Sequence, residues 1–209
     1  LTAPADILIA VPTRGLVDYQ TIERLNLIRD NEPGLPPVVF EQGVMGAGEV
    51  RQRIVARFLG SKNARVLVMV DDDVMPPVDL LGIVEHLERY DVMVAPTLMY
   101  RQGVIAWNVD DGAGRWRQDT PSGVVGAVSV GAGCIALSRD ALVRFEDEGV
   151  LAFAEGHDGD GRLVESDDVG FCRRAAALGV RIGADFSRLC DHRVTVGLGS
   201  LVKRPTSGA

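Results

Sequence analysis

The chain has 209 residues, of which 46% are hydrophobic and 24% charged, a composition that fits one ordinary globular domain and excludes a disordered or fibrous chain. A net charge of −7 argues against a surface built to grip nucleic-acid phosphates without regard to sequence. Cys134, Cys172 and Cys190 are odd in number and lack C-x-x-C spacing, so we read them as reduced, buried thiols in a cytoplasmic setting.

The first half alternates. Residues 6–11, DILIAV, read as a buried strand that stops at Pro12. Residues 17–29 carry Val17, Ile22, Leu25 and Ile28 at helical spacing and run into the stop signal Asn31-Glu32-Pro33-Gly34. A second strand is expected at 37–41, and a helix at 48–59 with Val50, Ile54, Val55 and Phe58 as its apolar stripe. A third strand follows at 66–70, a helix at 78–87 and a fourth strand at 91–95. This order implies βαβ crossovers and a largely parallel sheet covered on both faces.

The second half is irregular at first. Trp107, Asp110-Asp111-Gly112 and Trp116 mark short strands and turns between residues 97 and 120. Residues 124–137 read as strands, because Gly126, Gly131 and Gly133 break a run already too short for the about 20 apolar residues of a membrane helix. With no basic stretch and long apolar run at the N-terminus either, no membrane anchor is expected. A helix over 138–148 has Ser138 as cap, and a Gly- and Asp-rich loop spans 155–162. Residues 166–178 form a helix capped by Ser166, with Asp167 and Asp168 in the first turn, and 181–190 supply a last strand or two. We expect one domain over 1–200, with a nucleotide-binding half at 1–96, a mixed acceptor-side half at 97–200, and a flexible tail at 201–209.

Ligands of open parallel sheets bind outside the carboxyl ends of the strands. Pro12-Thr13-Arg14 lies at the end of the first strand and Asp71-Asp72-Asp73 at the end of the third, so both should face one crevice. Alternation along extended backbone would send Asp71 and Asp73 to one side and Asp72 to the other. Such a pair either solvates an acidic turn or holds a hard divalent cation, which takes oxygen ligands from protein, water and phosphate. Asp167 and Asp168 either stabilise a helix N-terminus or supply a general base. His192, directly after a predicted strand, is either a packing residue or a ligand. The segment HDGDGRLVESDD, 157–168, partly follows a calcium loop, but Gly156 stands where the first acid belongs, and we read a mobile acceptor-side loop.

In order, a strand ending in Pro12-Thr13-Arg14, a helix opening GAGEVRQRIV, then VMVDDDVMPP, VGAGCIALSRDAL, ESDDVGFCRRAAALGVRI and a strand ending in His192 resemble the GT-A glycosyltransferases. The likeness is nearest to family-2-like members that use nucleotide-diphosphate sugars, and it spans about residues 7–200. SDDVGFCRRA follows that family's E-D-V-D-F-C-x-R-A pattern, with Asp167 where Glu is usual and Gly170 where a second Asp often sits. The carboxylate that the family uses as base falls on Asp168.

The resemblance implies a GT-A fold, an α/β arrangement with a mostly parallel central sheet flanked by helices and a mixed acceptor-side half. It implies metal-dependent transfer of a sugar from a nucleotide-diphospho-sugar, UDP-sugars first among them, to an acceptor hydroxyl. Asp73 would bind Mn2+ or Mg2+ directly, Asp71 would contact the ribose and the metal through water, and His192 would complete the coordination. Pro12, Thr13 and Arg14 would line the base and ribose pocket, with Asp72 turned to the nucleotide or a backbone partner. Arg51 or Arg53 would reach the nucleotide or diphosphate, the alternative for each being solvated helix surface. Gly131 and Gly133 would lie beneath the donor sugar, Trp107 would stack on a sugar or sit in the core, and Lys203 and Arg204 would close as a lid. Asp168 would act as base in a single inverting displacement, with Asp167 on an acceptor hydroxyl. Three alternatives stay open: a retaining enzyme with the same metal site, a sugar nucleotidyltransferase, and a non-catalytic sugar- or nucleotide-binding module. PTRGLVDY lacks the G-x-G-x-R loop of the second, and the third should lack a base or metal ligand. The acceptor is a protein, a glycan, a small molecule or a modified nucleic-acid base, and a homo-oligomer is compatible with the sequence.

Overall fold

The computed structural model describes residues 2–43, 46–101, 104–110, 112 and 116–193. Strand β1 (Ile7–Thr13) leads to helix α1 (Tyr19–Asn31), β2 (Val39–Gln42), α2 (Ala47–Gly60) and β3 (Val66–Val70). A two-residue β4 (Val74–Met75), a 3-10 helix (Leu80–Glu88) and β5 (Val92–Val94) complete the first half. A hairpin of β6 (Leu98–Arg101) and β7 (Val104–Trp107) follows, then β8 (Val109–Asp110), β9 (Val124–Ala127), β10 (Ser129–Val130) and β11 (Cys134–Ser138). Helix α3 (Arg139–Asp147), a small hairpin of β12 (Gly156–His157) and β13 (Leu163–Glu165), α4 (Asp167–Ala177), β14 (Ile182–Asp185) and β15 (Asp191–His192) end the described fold.

Seven strands form the central sheet in the order β2-β1-β3-β11-β5-β14-β9. Strands β1, β2, β3, β5 and β14 run one way, while β11 and β9 run against them. The sheet is therefore mixed: β11 sits antiparallel between β3 and β5, which a simple βαβ succession would have made neighbours.

All five residues of β3 are buried, because both faces of the sheet are covered. Leu67 and Met69 join Val50, Ile54 and Phe58 of α2, Phe145 of α3 and Phe171 of α4 in one core. Val66, Val68 and Val70 join Leu25 and Ile28 of α1 and Leu80 and Ile83 in the other. Alternation along β3 thus feeds two separate layers. The expected helix at 78–87 is wound as a 3-10 helix, whose three-residue turn puts Leu80 and Ile83 in one line toward the sheet.

Ser138 caps α3 as expected, its hydroxyl accepting from the Ala141 N–H at 3.2 Å. Ser166 occupies the N-cap of α4, but its hydroxyl donates to Asp168 Oδ1 instead of accepting from the backbone. The three cysteines are buried and form no disulfide. Among the described residues, no helix is long and apolar enough to cross a membrane. The expected tail at 201–209, with Lys203 and Arg204, lies outside the described residues.

Candidate active site

The chain turns as soon as β3 leaves the sheet. The Val74 N–H donates to the Asp71 carbonyl at 3.1 Å, which places Asp72 and Asp73 at the corner of a tight turn. Alternation does not apply on such backbone, so Asp72 is not turned away, and all three acids line one cavity. That cavity, about 290 Å3, is completed by Pro12, Thr13 and Arg14 from β1 and by Ala47, Val50 and Arg51 from α2. It stands at the carboxyl edge of the sheet, where the strand order predicted a ligand crevice.

Long-range bonds hold this turn. The Asp18 N–H donates to the Asp72 carbonyl at 2.8 Å, and the Thr21 hydroxyl of α1 donates to the Val74 carbonyl at 3.0 Å. On the other side the Asp71 N–H donates to the Gly133 carbonyl at 2.8 Å. After β1, Gly15 takes a φ of +117°, a value that favours glycine, and its N–H donates to Thr13 Oγ1 at 2.9 Å. The loop folded in this way brings the Arg14 N–H to Asp72 Oδ2 at 3.3 Å, and the Arg14 side chain is exposed at the rim.

Arg51 borders the cavity yet is only 6% exposed. Its Nη2 donates to both oxygens of Asp71 at 2.6 and 2.7 Å, and its Nη1 donates to Asp167 Oδ2. Burial opposes the charge on the guanidinium, but the two carboxylates outweigh it and raise its pKa above the ordinary value. Burial lifts Asp71, Arg51 pulls it down, and the nearby Asp73 and Asp167 lift it again, leaving it above the usual carboxylate value. Arg51 therefore holds two acids separated by 96 positions in the chain, one directly after β3 and one at the start of α4.

Asp73 faces solvent and His192. The pairing of β15 with β4 sets His192 opposite Val74, and the Arg193 N–H donates to the Asp73 carbonyl at 2.9 Å. His192 Nε2 then lies 3.4 Å from Asp73 Oδ2, with Nδ1 3.3 Å from the Leu98 carbonyl. The hydrogen bond with Asp73 raises the His192 pKa against the effect of burial, and the same contact lowers Asp73.

The expected metal trio is only partly assembled. Both oxygens of Asp71 are engaged by Arg51, and no group of three or more His, Cys, Asp or Glu side chains poised for a metal occurs among the described residues. What remains is one carboxylate oxygen and one imidazole nitrogen converging at the rim, a pair that could hold a cation only if water or ligand oxygens filled its other positions.

The other candidates divide. Arg53 is exposed and bonded to the Gln42 carbonyl at 2.7 Å and to Glu41 at 3.4 Å, outside the cavity lining. Trp107 takes the core reading: it is 7% exposed and meets Phe186 edge-on at 5.7 Å. Gly131 and Gly133 lie at the same edge as Asp71; a methyl on Gly133 would sit 3.5 Å from Thr97 Oγ1 and 3.8 Å from Asp71 Oδ2. Asp167 is buried on Arg51, whereas Asp168 is half-buried, accepts from the Ser166 hydroxyl and from the Val169 N–H at 2.8 Å, and has no cationic partner among the described residues.

Two residues at this edge escaped the sequence reading. Thr97 is buried, and its hydroxyl has no hydrogen-bond partner among the described residues. Asn108 accepts from the Thr97 N–H at 2.8 Å and donates to the Gly131 carbonyl at 3.3 Å, tying the end of β5 to the small-residue segment. A signal for Thr97 existed, since Ala10-Val11-Pro12-Thr13 is echoed by Val94-Ala95-Pro96-Thr97 at the end of another parallel strand.

No family model matches the chain, and no curated protein matches it in sequence. Among solved structures the fold is similar to A197 from STIV, with a TM-score of 0.65 and 19% identity over 90% of this chain and 86% of that one. It is similar also to GalNAc-T7 crystallised with UDP, GalNAc and Mn2+, with a TM-score of 0.54 and 13% identity over 90% of this chain and 38% of that one. A third is the inositol-1-phosphate CTP transferase from T. maritima, with a TM-score of 0.51 and 8% identity over 96% and 95% of the two chains. Identities this low establish the fold alone: an α/β fold shared with a GalNAc transferase and a CTP transferase.

Proposed function

We propose that this protein is a GT-A glycosyltransferase that moves a sugar from a nucleotide-diphospho-sugar, a UDP-sugar first among them, to an acceptor hydroxyl with the help of Mn2+ or Mg2+. One observation carries the reading: the acid turn after β3 and the loop after β1 line a single cavity at the carboxyl edge of the sheet, with Asp73 and His192 paired at its rim. The fold likeness to a GalNAc transferase crystallised with UDP, GalNAc and Mn2+ supports it.

Asp73 and His192 are the residues that would hold the cation. When bound, the cation neutralises charge that develops on the leaving diphosphate. Arg14, exposed at the rim beside Asp72, adds a positive charge on the same side. Of the two acids opening α4, Asp167 is neutralised by Arg51 and Asp168 is left as the base. Asp168 takes the proton as the acceptor oxygen bonds to the anomeric carbon, and the carbon–oxygen bond to the diphosphate breaks with its electron pair leaving on the diphosphate. The product is inverted.

A screen of nucleotide sugars with Mn2+, read by mass spectrometry of nucleotide release and of an acceptor panel, tests the activity. NMR of the product's anomeric carbon then tests the base. Retained configuration removes Asp168 from that role. The likeness to a CTP transferase supports nucleotidyl transfer as a second reading, and pyrophosphate release from CTP with a sugar or polyol phosphate would favour it.

A further inference from the structure

The resemblance implied that Arg51 or Arg53 reaches the nucleotide or diphosphate, with solvated helix surface as the alternative for each. We propose instead that Arg51 is a positioning residue, which clamps the first turn of α4 to the end of β3 and so fixes Asp168 in relation to the acid turn. Its influence on turnover rests on the glycosyl-transfer reading; its structural role does not.

The guanidinium leaves little for a ligand. Nη2 is held by both oxygens of Asp71 and Nη1 by Asp167, while Nε is buried without an acceptor among the described residues. A phosphate would have to displace a carboxylate from a planar fork matched to it, in a buried place where such pairs are strong. The surrounding packing is built around this contact. Gly48, one turn before Arg51 on α2, brings the helix so near α4 that a methyl there would lie 2.9 Å from Asp167 Cβ and 3.1 Å from the Phe153 carbonyl. A larger residue at position 48 would push the two elements apart and open the fork. Gly48 and Arg51 thus act on the same face, one by leaving room and the other by filling the seam with charge. Asp168 follows Asp167 directly, so its carboxylate moves with whatever Arg51 holds.

The expected signature separates a clamp from a ligand. Lysine keeps the charge but cannot grip both acids with a fork, and a misplacement of about 1 Å at a reacting group lowers turnover by about 100-fold. For Arg51→Lys we expect kcat to fall by about 30- to 100-fold with donor KM within about threefold of the parent. The Gly170 and Phe171 amides should exchange with deuterium about tenfold faster. Asp167→Asn, which keeps the shape and removes one charge, should shift the same amides and guards against a folding defect peculiar to Arg51. Calorimetric titration with UDP and Mn2+ should give nearly equal affinities for parent and variants. Weaker UDP binding by tenfold or more in Arg51→Lys, or unchanged exchange in both variants, overturns the clamp. If the parent turns over none of the nucleotide sugars, the glycosyl-transfer reading falls, and amide exchange still decides the role of Arg51.

Discussion

Gly48→Ala tests how closely α2 and α4 must approach. Alanine in place of glycine inside a helix returns about 1 kcal/mol through backbone entropy. Here the added methyl would meet Asp167 Cβ at 2.9 Å, the Phe153 carbonyl oxygen at 3.1 Å and Glu155 Cγ at 3.3 Å. Two of those three atoms belong to backbone or to the root of a side chain, so the strain has no cheap release. Overpacking of this kind costs about 1–3 kcal/mol. The packing cost should offset or exceed that gain, leaving the variant up to roughly 2 kcal/mol less stable than the parent, or lower by up to about 4–8 °C in Tm for a chain of this size. Gly60→Ala is the internal control. It lies at the end of the same helix with nothing within 4 Å of the new methyl, and should gain about 0.5 kcal/mol. Thermal melts of the three proteins under one buffer decide the matter. A Gly48→Ala protein as stable as Gly60→Ala would show that α2 and α4 have slack between them, and the reasoning about the seam would be wrong.

Four further outcomes are expected. Asp73→Ala should abolish Mn2+-dependent transfer, as should chelation of the metal, whereas Asp72→Asn should reduce it less; equal losses would refute the special place of Asp73. Asp91 is lifted by burial but pulled below its ordinary value by the side-chain and backbone hydrogen bonds of Arg181 and the charges of Arg181 and Arg144. Its stabilisation is therefore complete above the unfolded pKa of about 3.9 and lost as pH falls through the lower folded value, so the Tm gap between parent and Asp91→Asn should hold above pH 5 and close in acid. Phe171 stacks on Phe153 at 4.7 Å and on Phe145 at 5.5 Å, and Phe171→Ala should cost about 3–5 kcal/mol by urea unfolding. Thr97→Val removes a buried hydroxyl that has no partner among the described residues, so stability should stay within about 1 kcal/mol of the parent; a loss above about 2 kcal/mol would show that a water or ligand satisfies it.

Features confined to a few consecutive residues were legible in the sequence. The apolar run of β3 announced a strand buried on both faces, and the three acids marked the end of it that opens into the cavity. Helices α2, α3 and α4 declared themselves through apolar spacing and caps. What escaped depends on contacts distant in sequence. No local pattern tells Arg51 that its partner is Asp167, 116 positions later, since that pairing is created where two helices meet. The burial of Trp107 against Phe186 is likewise a tertiary fact. The side-to-side alternation of the acids failed for a local reason: the turn closed by Val74 begins immediately after Val70, so the rule for extended backbone had nothing to act on. The antiparallel course of β11 was hidden because periodicity identifies a strand without naming its neighbours.

That placement of β11 has a consequence for how the molecule is made. Strand β1 can pair with β2 and β3 as they emerge, but the far edge of β3 waits for residues 134–138, and β5 waits for them too. Until then the most apolar strand of the protein is an open edge, the kind of surface that recruits other chains. The acid turn shares this delay, since the Asp71 N–H finds its partner only in the carbonyl of Gly133. During synthesis this acid turn is consequently among the late parts to take shape, and a nascent chain stalled near residue 100 would be a natural client for a chaperone that shields unpaired strands.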